Sequence, residues 1–418
     1  MLNPTLITEI KKLARELQPE LVNIRRHLHA NPELSFKEFQ TAAFISKRLS
    51  EYGIAHQTGI AGTGIVGLIE GGKSNSGNEP AISDSRLNEK KVIALRADMD
   101  ALPIQEKNET PYRSMNPGVM HACGHDVHSA CLLGALFILN KLKNEIDGTV
   151  KFIFQPGEEQ FPGGASLMIK AGVLENPAPS LIIGQHVQPD METGLIGFRS
   201  GKYMASTDEI YITVKGKGGH AALPHTYTSP LLIAAAILTE LELEFMGGRE
   251  NKPYNLRQDV PTVLAFGKIN SMGATNVIPD EVKLEGTFRT MDESWRKEAH
   301  LKMKKRAEAV AEKMGGSCDF KIVDGYPSLS NDKQTTETAA QAAITYLGKE
   351  HIKVLDLRMT SEDFSFYSQR IPACFYRLGV GNKAKGITSN VHSNTFDIDE
   401  DALKTGSGLM AAIAISSM

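Results

Sequence analysis

Residues 121–155 read HACGHDVHSACLLGALFILNKLKNEIDGTVKFIFQ, and this stretch decides the fold class. It predicts an apolar helix from about His128 to Leu142, followed by a buried strand from Thr149 to Gln155. Elements of the same kind flank the stretch: strands at Thr63–Ile69, Lys91–Arg96 and Leu181–Gln185, a helix near Gly164–Ala171, and two N-terminal helices at Thr5–Leu28 and about Phe36–Tyr52. Strands that alternate with helices indicate an α/β domain with a largely parallel sheet, in which functional residues collect in the loops after the strands.

Two of these predicted strands are separated by a polar stretch, Gly71–Lys90. It is rich in Gly, Ser, Asn, Asp and Glu, which predicts either a solvated hairpin loop or a local insertion. We place no chemistry there.

From about residue 203 the order of the predicted elements changes. Strands and helices then follow at Asp208–Lys215, Ser229–Leu243, Thr262–Ile269, Val282–Thr290, Ser294–Met314 and Ser317–Val323. This βαββαβ order is that of a ferredoxin-like unit. The chain returns to its earlier pattern with a helix at Thr335–Lys349, a strand at Ala373–Gly379 and a helix at Asp401–Ile415. We therefore expect a catalytic domain in two pieces, residues 1–203 and 324–418, around an inserted domain of residues 204–323.

The composition is that of a globular protein of more than one domain. The chain has 418 residues, of which 41% are hydrophobic and 23% charged. A chain of this length buries a large core without a structural metal, so a metal cluster in it would be functional. Its formal net charge of -3, without a recurring basic block, argues against nucleic acid or an anionic membrane surface as partner. Four irregularly spaced cysteines, a charged N-terminus and no long apolar run predict a cytoplasmic protein without a transmembrane helix.

The loop at residues 121–128 holds the densest group of metal-ligand side chains: three histidines, one cysteine and one aspartate, with a glycine that allows a tight bend. A lone His or Cys is more often a satisfied core group, but two further strand ends and a C-terminal loop add ligand types. Adjacent carboxylates at one of these strand ends favour a cation between them, although a solvated turn is the alternative. The candidate ligands are Cys123, His125, Glu159, His186 and His392. Five ligands exceed one tetrahedral site, so we expect two metal ions.

The carboxylate left beside these ligands is Glu158, a candidate general base for metal-bound water. A second interpretation makes Cys123 a thiolate nucleophile with His125 as its base, but residues two apart rarely reach that geometry and the carboxylates would be idle. A third keeps the metals in a non-catalytic, metal-dependent binding protein. The presence of Glu158 beside the ligands favours the enzyme.

Six segments occur in one order along the chain: RRHLHANPEL at 25–34, LRADMDALP at 95–103, HACGHDVH at 121–128, GEE at 157–159, GGHAALPH at 218–225 and NVIPD at 276–280. Together they resemble the amidohydrolase branch of the aminoacylase and carboxypeptidase-type metallopeptidases. That branch includes hippurate hydrolases, N-acyl-L-amino acid amidohydrolases, plant auxin-conjugate hydrolases and bacterial N-acetyl-diaminopimelate deacetylases. The resemblance covers nearly the whole chain. Only the polar stretch Gly71–Lys90 departs from the family pattern, by its length.

The resemblance implies a dinuclear site in a zinc-peptidase-like, mixed-sheet α/β domain, an inserted lid domain, and a homodimer formed through that lid. By matching motifs, the resemblance assigns metal binding to the five candidate ligands above and the role of general base to Glu158. It also implies that His220 reaches the site of the partner subunit, that Asn276 and Arg289 face the substrate, and that Asp100 orients a ligand histidine. The residues alone favour an exposed turn residue at His220, and they leave open a surface charge at Arg289 and a helix or turn cap at Asp100.

The implied reaction is hydrolysis of an N-acyl-L-amino acid to a carboxylic acid and a free amino acid, by hydroxide held between two metals. Zinc, cobalt or nickel would suit the ligand types, and the family branch implies manganese as the alternative to zinc. N-acetyl, benzoyl, indole-acetyl and peptide substrates all stay open. The chain could therefore also be a dipeptidase or carboxypeptidase of the same family.

Overall fold

The computed structural model describes residues 3–72, 91–247, 255–257 and 260–418. The chain divides into two compact units: the first comprises Met1–Gly201, Ser330–Asp356 and Phe366–Met418, and the second comprises Lys202–Leu329 and Leu357–Ser365. The grouping of residues 357–365 with the second unit was not predicted from the sequence. Residues 73–90 of the polar stretch lie outside the described part, so their predicted loop stays a prediction.

The helices and strands are numbered in chain order. Up to residue 200 they are α1 (Pro4–Ala30), α2 (Phe39–Glu51), β1 (His56–Ile60), β2 (Gly64–Glu70), β3 (Val92–Asp98), α3 (His125–Lys141), β4 (Thr149–Gln155), α4 (Gly164–Lys170), β5 (Leu181–Glu192) and β6 (Ile196–Phe198). The next are β7 (Gly201–Met204), β8 (Asp208–Lys215), β9 (Gly219–His220), α5 (Pro230–Met246), β10 (Asn255–Arg257), β11 (Val260–Ser271), β12 (Val277–Ile278), β13 (Glu281–Thr290), α6 (Glu293–Lys313) and β14 (Ser317–Asp324). The last are β15 (Leu329–Asn331), α7 (Lys333–Leu347), β16 (Ile352–Val354), α8 (Ser365–Ser368), β17 (Ala373–Gly381) and α9 (Asp401–Ser416). Short 3-10 helices lie at Lys143–Glu145, Pro224–Thr226, Lys349–His351 and Lys383–Lys385.

The described part of the first unit is built on an eight-stranded mixed sheet with the order β1-β2-β4-β3-β5-β17-β6-β16. Its centre is parallel, since β4, β3, β5 and β17 run in one direction as successive neighbours. The carboxyl ends of these strands therefore meet at one edge, where ligands bind in open α/β sheets. Strand β4 lies between β2 and β3, so the strands that flank Gly71–Lys90 do not form a hairpin with each other.

Helix α3 is buried along the whole run His125–Leu139, because its sequence offers no polar face. Helices α1 and α9 pack against it. The helix begins at His125, earlier than the predicted start, because Gly124 makes the bend itself. Gly124 has φ +87°, and a Cβ atom there would collide with the side chain of Val187. The polar loop found in the sequence thus becomes the first turn of a buried helix.

The second unit has its own sheet with the order β10-β11-β13-β8-β14, antiparallel at each described pair. Helices α5 and α6 cover it and bury a separate apolar core that includes Leu241, Phe245 and Phe288. Asp292 caps α6 by accepting the backbone N–H groups of Ser294 and Trp295 at 3.1 and 2.9 Å. The order β8-α5-β11-β13-α6-β14 is the predicted βαββαβ unit, with β10 as an added edge strand that was not predicted.

The remaining differences from the sequence predictions are local. The unpredicted short elements are β1, β6, β7, β9, β12, β15, β16 and α8, and α2 begins at Phe39 instead of about Phe36. Strand β5 continues past Gln185 to Glu192, so His186 lies within the strand and not after it. No helix in the described residues combines the length and apolar character needed to cross a membrane.

Candidate metal centre

Three parallel strands deliver the site residues of the first unit. Asp98 ends β3 and Asp100 follows it, Glu158 and Glu159 follow β4, and His186 lies in β5. Because these strands are neighbours, their polar ends are close in space although they are far apart in sequence. The start of α3 and the loop before α9 add the remaining side chains.

The five predicted ligands converge in the structure. Three sets of potential ligand atoms each lie within 4.8 Å of one another: Cys123, His125 and His186; Cys123, Glu159 and His392; and His125, Glu158 and Glu159. The sets share members, so they form one cluster within the first unit. Within it, Cys123 Sγ lies 3.5 Å from His186 Nε2, and Glu159 Oε1 lies 3.1 Å from His392 Nε2 and 4.0 Å from His125 Nε2.

Two of the histidines are held in the tautomer that a metal requires. His125 Nδ1 lies 2.9 Å from the carbonyl oxygen of Asp100, and His186 Nδ1 lies 2.8 Å from the carbonyl oxygen of Val187. A carbonyl only accepts, so each Nδ1 carries a proton and each Nε2 faces the cluster, where its lone pair would bind a metal. His125 Nε2 is buried and makes no hydrogen bond within the described part of the chain. A buried acceptor without a donor fits a site for a cation.

The electrostatics of the cluster also fit a cation. Burial and the charge of Arg377 hold the pKa of His186 well below its usual range, so this imidazole is neutral, as a ligand must be. Burial lowers the pKa of His125, but the charge of Asp98 and the hydrogen bond to Asp100 outweigh it and raise that pKa well above its usual value. Hydrogen bonds to Cys123 and Glu159 likewise raise the pKa of His392 to about 10. The surroundings of these two rings therefore attract positive charge.

The same environment weighs against Cys123 as a nucleophile. Burial and the nearby Glu159 carboxylate raise the pKa of its thiol, whereas an activated cysteine needs a lowered pKa. A cation at Sγ would reverse this effect and hold the thiolate.

Two loops are tied together around His392. Its backbone N–H donates to the carbonyl oxygen of Ala122 at 2.7 Å, which links the C-terminal loop to the loop that carries Cys123. His392 has φ +61°, a left-handed backbone that costs energy for a residue other than glycine. Such strain is concentrated at functional sites, where the surrounding structure maintains it.

Asp100 connects two of the predicted ligands. Its carboxylate lies 3.1 Å from His125 Nδ1 and accepts the backbone N–H of Glu159 at 3.0 Å and the hydroxyl of Ser35 at 2.6 Å. Asp100 is buried, so these contacts are shielded from water. The carboxylate therefore fixes both the His125 ring and the backbone of Glu159.

The other polar residues of the 121–128 loop have separate contacts. His128 donates from Nδ1 to Asp98 Oδ1 at 2.6 Å and accepts the backbone N–H of Val187 at Nε2, so neither of its ring nitrogens is available to a metal. Asp126 is paired with Arg25 Nε at 2.9 Å. His121 is buried, and neither ring nitrogen has a hydrogen-bond partner among the described residues.

The predicted substrate residues lie in the second unit. His220 is exposed on β9, which pairs with β12, and the carbonyl oxygen of Asn276 accepts the backbone N–H of Ala221 at 3.1 Å. The short β9–β12 ribbon therefore brings His220 and Asn276 together. Arg289 lies half-buried on β13, where Nη1 donates to the carbonyl oxygen of Met359 at 3.2 Å. Burial lowers the pKa of its guanidinium.

Sequence reasoning gave no role to three buried residues beside the cluster: Asp98, Ser35 and Glu38. Asp98 carried a usable signal, because it lies two residues after the end of a predicted strand. Ser35 and Glu38 carried none, because they belong to a short loop before α2.

Comparison with known proteins identifies the chain's family. Residues 94–416 match the family model described as peptidase family M20/M25/M40. The chain belongs to this family. It is 34% identical over 416 residues to thermostable carboxypeptidase 2 of Saccharolobus solfataricus, covering 98% of both chains, and 35% identical over 396 residues to N-acetylcysteine deacetylase of Bacillus subtilis, covering 94% of this chain and 96% of that one. The crystal structure of Bacillus subtilis YxeP, a dinuclear metal-binding peptidase of the M20 family, superposes with a TM-score of 0.78 at 33% identity, covering 96% of this chain and 98% of YxeP.

The M20 assignment confirms the resemblance found in the sequence and the predicted α/β fold class. It also confirms that the protein is a hydrolase that acts on amide bonds.

Proposed function

We propose that this M20 hydrolase is a metal-dependent amidohydrolase that cleaves N-acyl-L-amino acids to a carboxylic acid and a free amino acid. The observation that carries the proposal is the convergence of the ligand-type atoms with the Glu158 carboxylate in one cluster. Two divalent ions would be held by Cys123, His125, Glu159, His186 and His392. The number of ions is supported by the dinuclear relative from Bacillus subtilis.

Metal ions bound here would polarise the amide carbonyl and lower the pKa of water. The Glu158 carboxylate accepts the proton of the attacking water and then donates it to the nitrogen of the leaving amine. Glu158 is buried and directly precedes Glu159, so its carboxylate is held beside the ligand set and away from bulk water. Asp100 keeps the His125 ring oriented throughout. A thiolate, imidazoles and a carboxylate suit zinc, cobalt or nickel by ligand softness, and manganese is the alternative that the family resemblance implies.

The second unit supplies the rest of the proposal. Residues 204–323 serve as a lid and as the domain through which two chains dimerise. In that dimer, the partner subunit's His220 holds the scissile carbonyl. Asn276 would contact the substrate, and Arg289 would bind its carboxylate through a bidentate pair. The exposure of His220 and its link to Asn276 through the β9–β12 ribbon support this assignment.

The test is release of free amino acid from N-acetyl, benzoyl and indole-acetyl conjugates by metal-loaded protein, with wild type and Glu158→Gln run side by side. We expect metal-dependent release by the wild type and a loss of about 10²- to 10⁴-fold in the variant, which keeps the metals but lacks the base. A variant at near wild-type rate would remove Glu158 from the mechanism. If the wild type binds two metals but releases no amino acid from any conjugate, the result would favour a non-catalytic binding protein.

Two further experiments refine the proposal. The relative from Saccharolobus solfataricus is a carboxypeptidase, so dipeptides and N-blocked dipeptides belong among the substrates tested. Faster cleavage of these than of the N-acyl amino acids would make the chain a peptidase of the same family.

The second experiment tests whether His220 acts on the site of the partner subunit. Two inactive variants, Glu158→Gln and His220→Ala, are mixed in equal amounts so that their subunits exchange. If His220 acts on the partner's site, mixing restores about a quarter of the wild-type activity, as random exchange of a two-fold dimer requires. No recovery after proven subunit exchange would place His220 in its own subunit's site.

A further inference from the structure

The loop before α2 contains a carboxylate that the reaction scheme leaves unused. Glu38 is fully buried, yet its side chain does not cap its own helix, although it occupies the N-cap position of α2. Instead Oε1 accepts the backbone N–H of Phe36 at 2.8 Å and that of Gly157 at 2.8 Å, and Oε2 accepts the hydroxyl of Thr63 at 2.7 Å. A buried carboxylate is costly unless such bonds satisfy it, so its placement needs an explanation other than helix capping.

The contact with Gly157 fixes the residue that precedes Glu158. The Gly157 N–H is held by Glu38, and its carbonyl oxygen accepts the N–H of Gly164 at 2.9 Å. Gly157 has φ +58°, and a Cβ atom there would collide with the ring of Phe36. The N–H and the carbonyl group of Gly157 are therefore both hydrogen-bonded, and the Phe36 ring fills the space where a side chain would lie. Because Gly157 is held in this way, the backbone of the next residue, Glu158, has little freedom.

Phe36 and Ser35, in the same short loop, also help to hold residues 157–159. The Phe36 ring packs on the Gly157 backbone, and Phe36 itself has φ +63°, an uncommon and strained conformation for an aromatic residue. The Ser35 hydroxyl donates to the Asp100 carboxylate, which in turn holds the backbone N–H of Glu159. Residues 35–38 thus act as a clamp on residues 157–159, and they lie outside the residues 94–416 that the family model matches.

We propose that Glu38 is a positioning residue, which fixes the backbone at Gly157 so that the Glu158 carboxylate keeps its place beside the ligand cluster. This inference rests on the proposed role of Glu158 as the base. Glu38 touches no substrate and no reacting atom; it acts through the peptide group that precedes Glu158.

Glu33 provides a matched control from the same loop. Its carboxylate accepts the backbone N–H and the hydroxyl of Thr41 at 2.8 and 3.0 Å, so it supports the start of α2 without touching Gly157. The experiment compares Glu38→Ala, Glu38→Gln and Glu33→Ala as full-length, metal-loaded proteins. For each we measure kcat, KM, bound metal per chain and the midpoint of thermal unfolding.

We expect Glu38→Ala to bind two metals and to keep KM within about twofold, while kcat falls about 10- to 100-fold, the loss typical of a catalytic group displaced by an ångström. Glu38→Gln keeps an acceptor oxygen for Gly157 and should recover most of that kcat. Glu33→Ala should unfold at a lower temperature and keep kcat within about twofold of wild type. A purely structural role would lower the unfolding midpoint of both alanine variants and leave kcat alike in both.

Three results would overturn the inference: equal kcat in the two alanine variants, no recovery in Glu38→Gln, or loss of bound metal in Glu38→Ala. If Glu38→Ala does not fold, Phe36→Ala replaces it, because that ring is half-exposed and also contacts Gly157. An unchanged kcat in Phe36→Ala would then be decisive against the clamp. The Glu158→Gln control separates the two proposals. Full activity of Glu158→Gln would contradict the assignment of Glu158 as the base. An inactive Glu158→Gln together with a fully active Glu38→Ala would contradict only the positioning role of Glu38.

Discussion

Replacing Asp100 by alanine should weaken metal binding as well as the fold. The carboxylate holds His125 Nδ1, the Ser35 hydroxyl and the backbone N–H of Glu159, all in a buried environment. Loss of such an outer partner typically costs about 10- to 100-fold in metal affinity, or roughly 1.4 to 2.7 kcal/mol. The His125 ring keeps its bond to the Asp100 backbone carbonyl, but the Glu159 N–H is left without an acceptor, which costs a further 1 to 3 kcal/mol of stability, roughly.

The assay is competition for zinc with a chromophoric chelator, combined with urea unfolding of the metal-free protein. Asp332→Ala is the matched control, because Asp332 accepts the backbone N–H of Thr335 at 2.8 Å and caps α7 without contacting the cluster. That variant should lose about 1 kcal/mol of unfolding free energy and no zinc affinity. Equal zinc affinity in Asp100→Ala and Asp332→Ala would refute the reasoning, because the contacts of Asp100 would then serve only the fold.

Other expected outcomes follow from the same structure. Asp208→Asn should lose about 3 to 5 kcal/mol of unfolding free energy, because buried Arg296 loses its buried, bidentate carboxylate partner and keeps the more exposed Glu293. Burial alone would raise the pKa of Asp208, but His300 and Arg296 lower it overall, so its contribution is complete above about pH 4 and is lost as pH falls through the folded-state pKa. The gap in urea midpoint between wild type and this variant should therefore narrow below about pH 4, and a constant gap would contradict the assignment. Asp126→Asn should lose about 3 kcal/mol of unfolding free energy, since Arg25 is fully buried beside it; a loss below that of an exposed ion pair, about 1 kcal/mol, would show that the remaining pair of Arg25 with Asp397 is sufficient. Removal of metal by a chelator should abolish turnover and lower the midpoint of thermal unfolding. Zinc or manganese added back at 100 times its Kd should restore about 2.7 kcal/mol of unfolding free energy. A midpoint that does not change on chelation would mean that no metal was bound.

The sequence identified the chemical groups of the site because metal chemistry restricts residue types. Cysteine, histidine and paired carboxylates at strand ends are uncommon enough together to stand out, and the structure brings the five predicted ligands and Glu158 into one cluster. A long apolar run identified the buried helix α3, and the succession of apolar segments identified the βαββαβ order of the second unit, since burial requires apolar side chains. The start of α3 was placed too late, because a glycine bend allows polar residues to occupy the first turn.

Contacts between distant segments were decided only by the tertiary structure. His125 and His128 lie in one turn, yet packing turns His128 towards Asp98 and Val187 and leaves the Nε2 of His125 facing the cluster. Glu38 and Gly157 are 119 residues apart, and no local pattern records their hydrogen bond. The sequence by itself determined which side chains could bind a metal and where most of the long helices and strands lie, since both depend on residue type and short-range spacing. Which of those side chains meet, and which neighbour holds each one in place, depends on how the strands and helices pack.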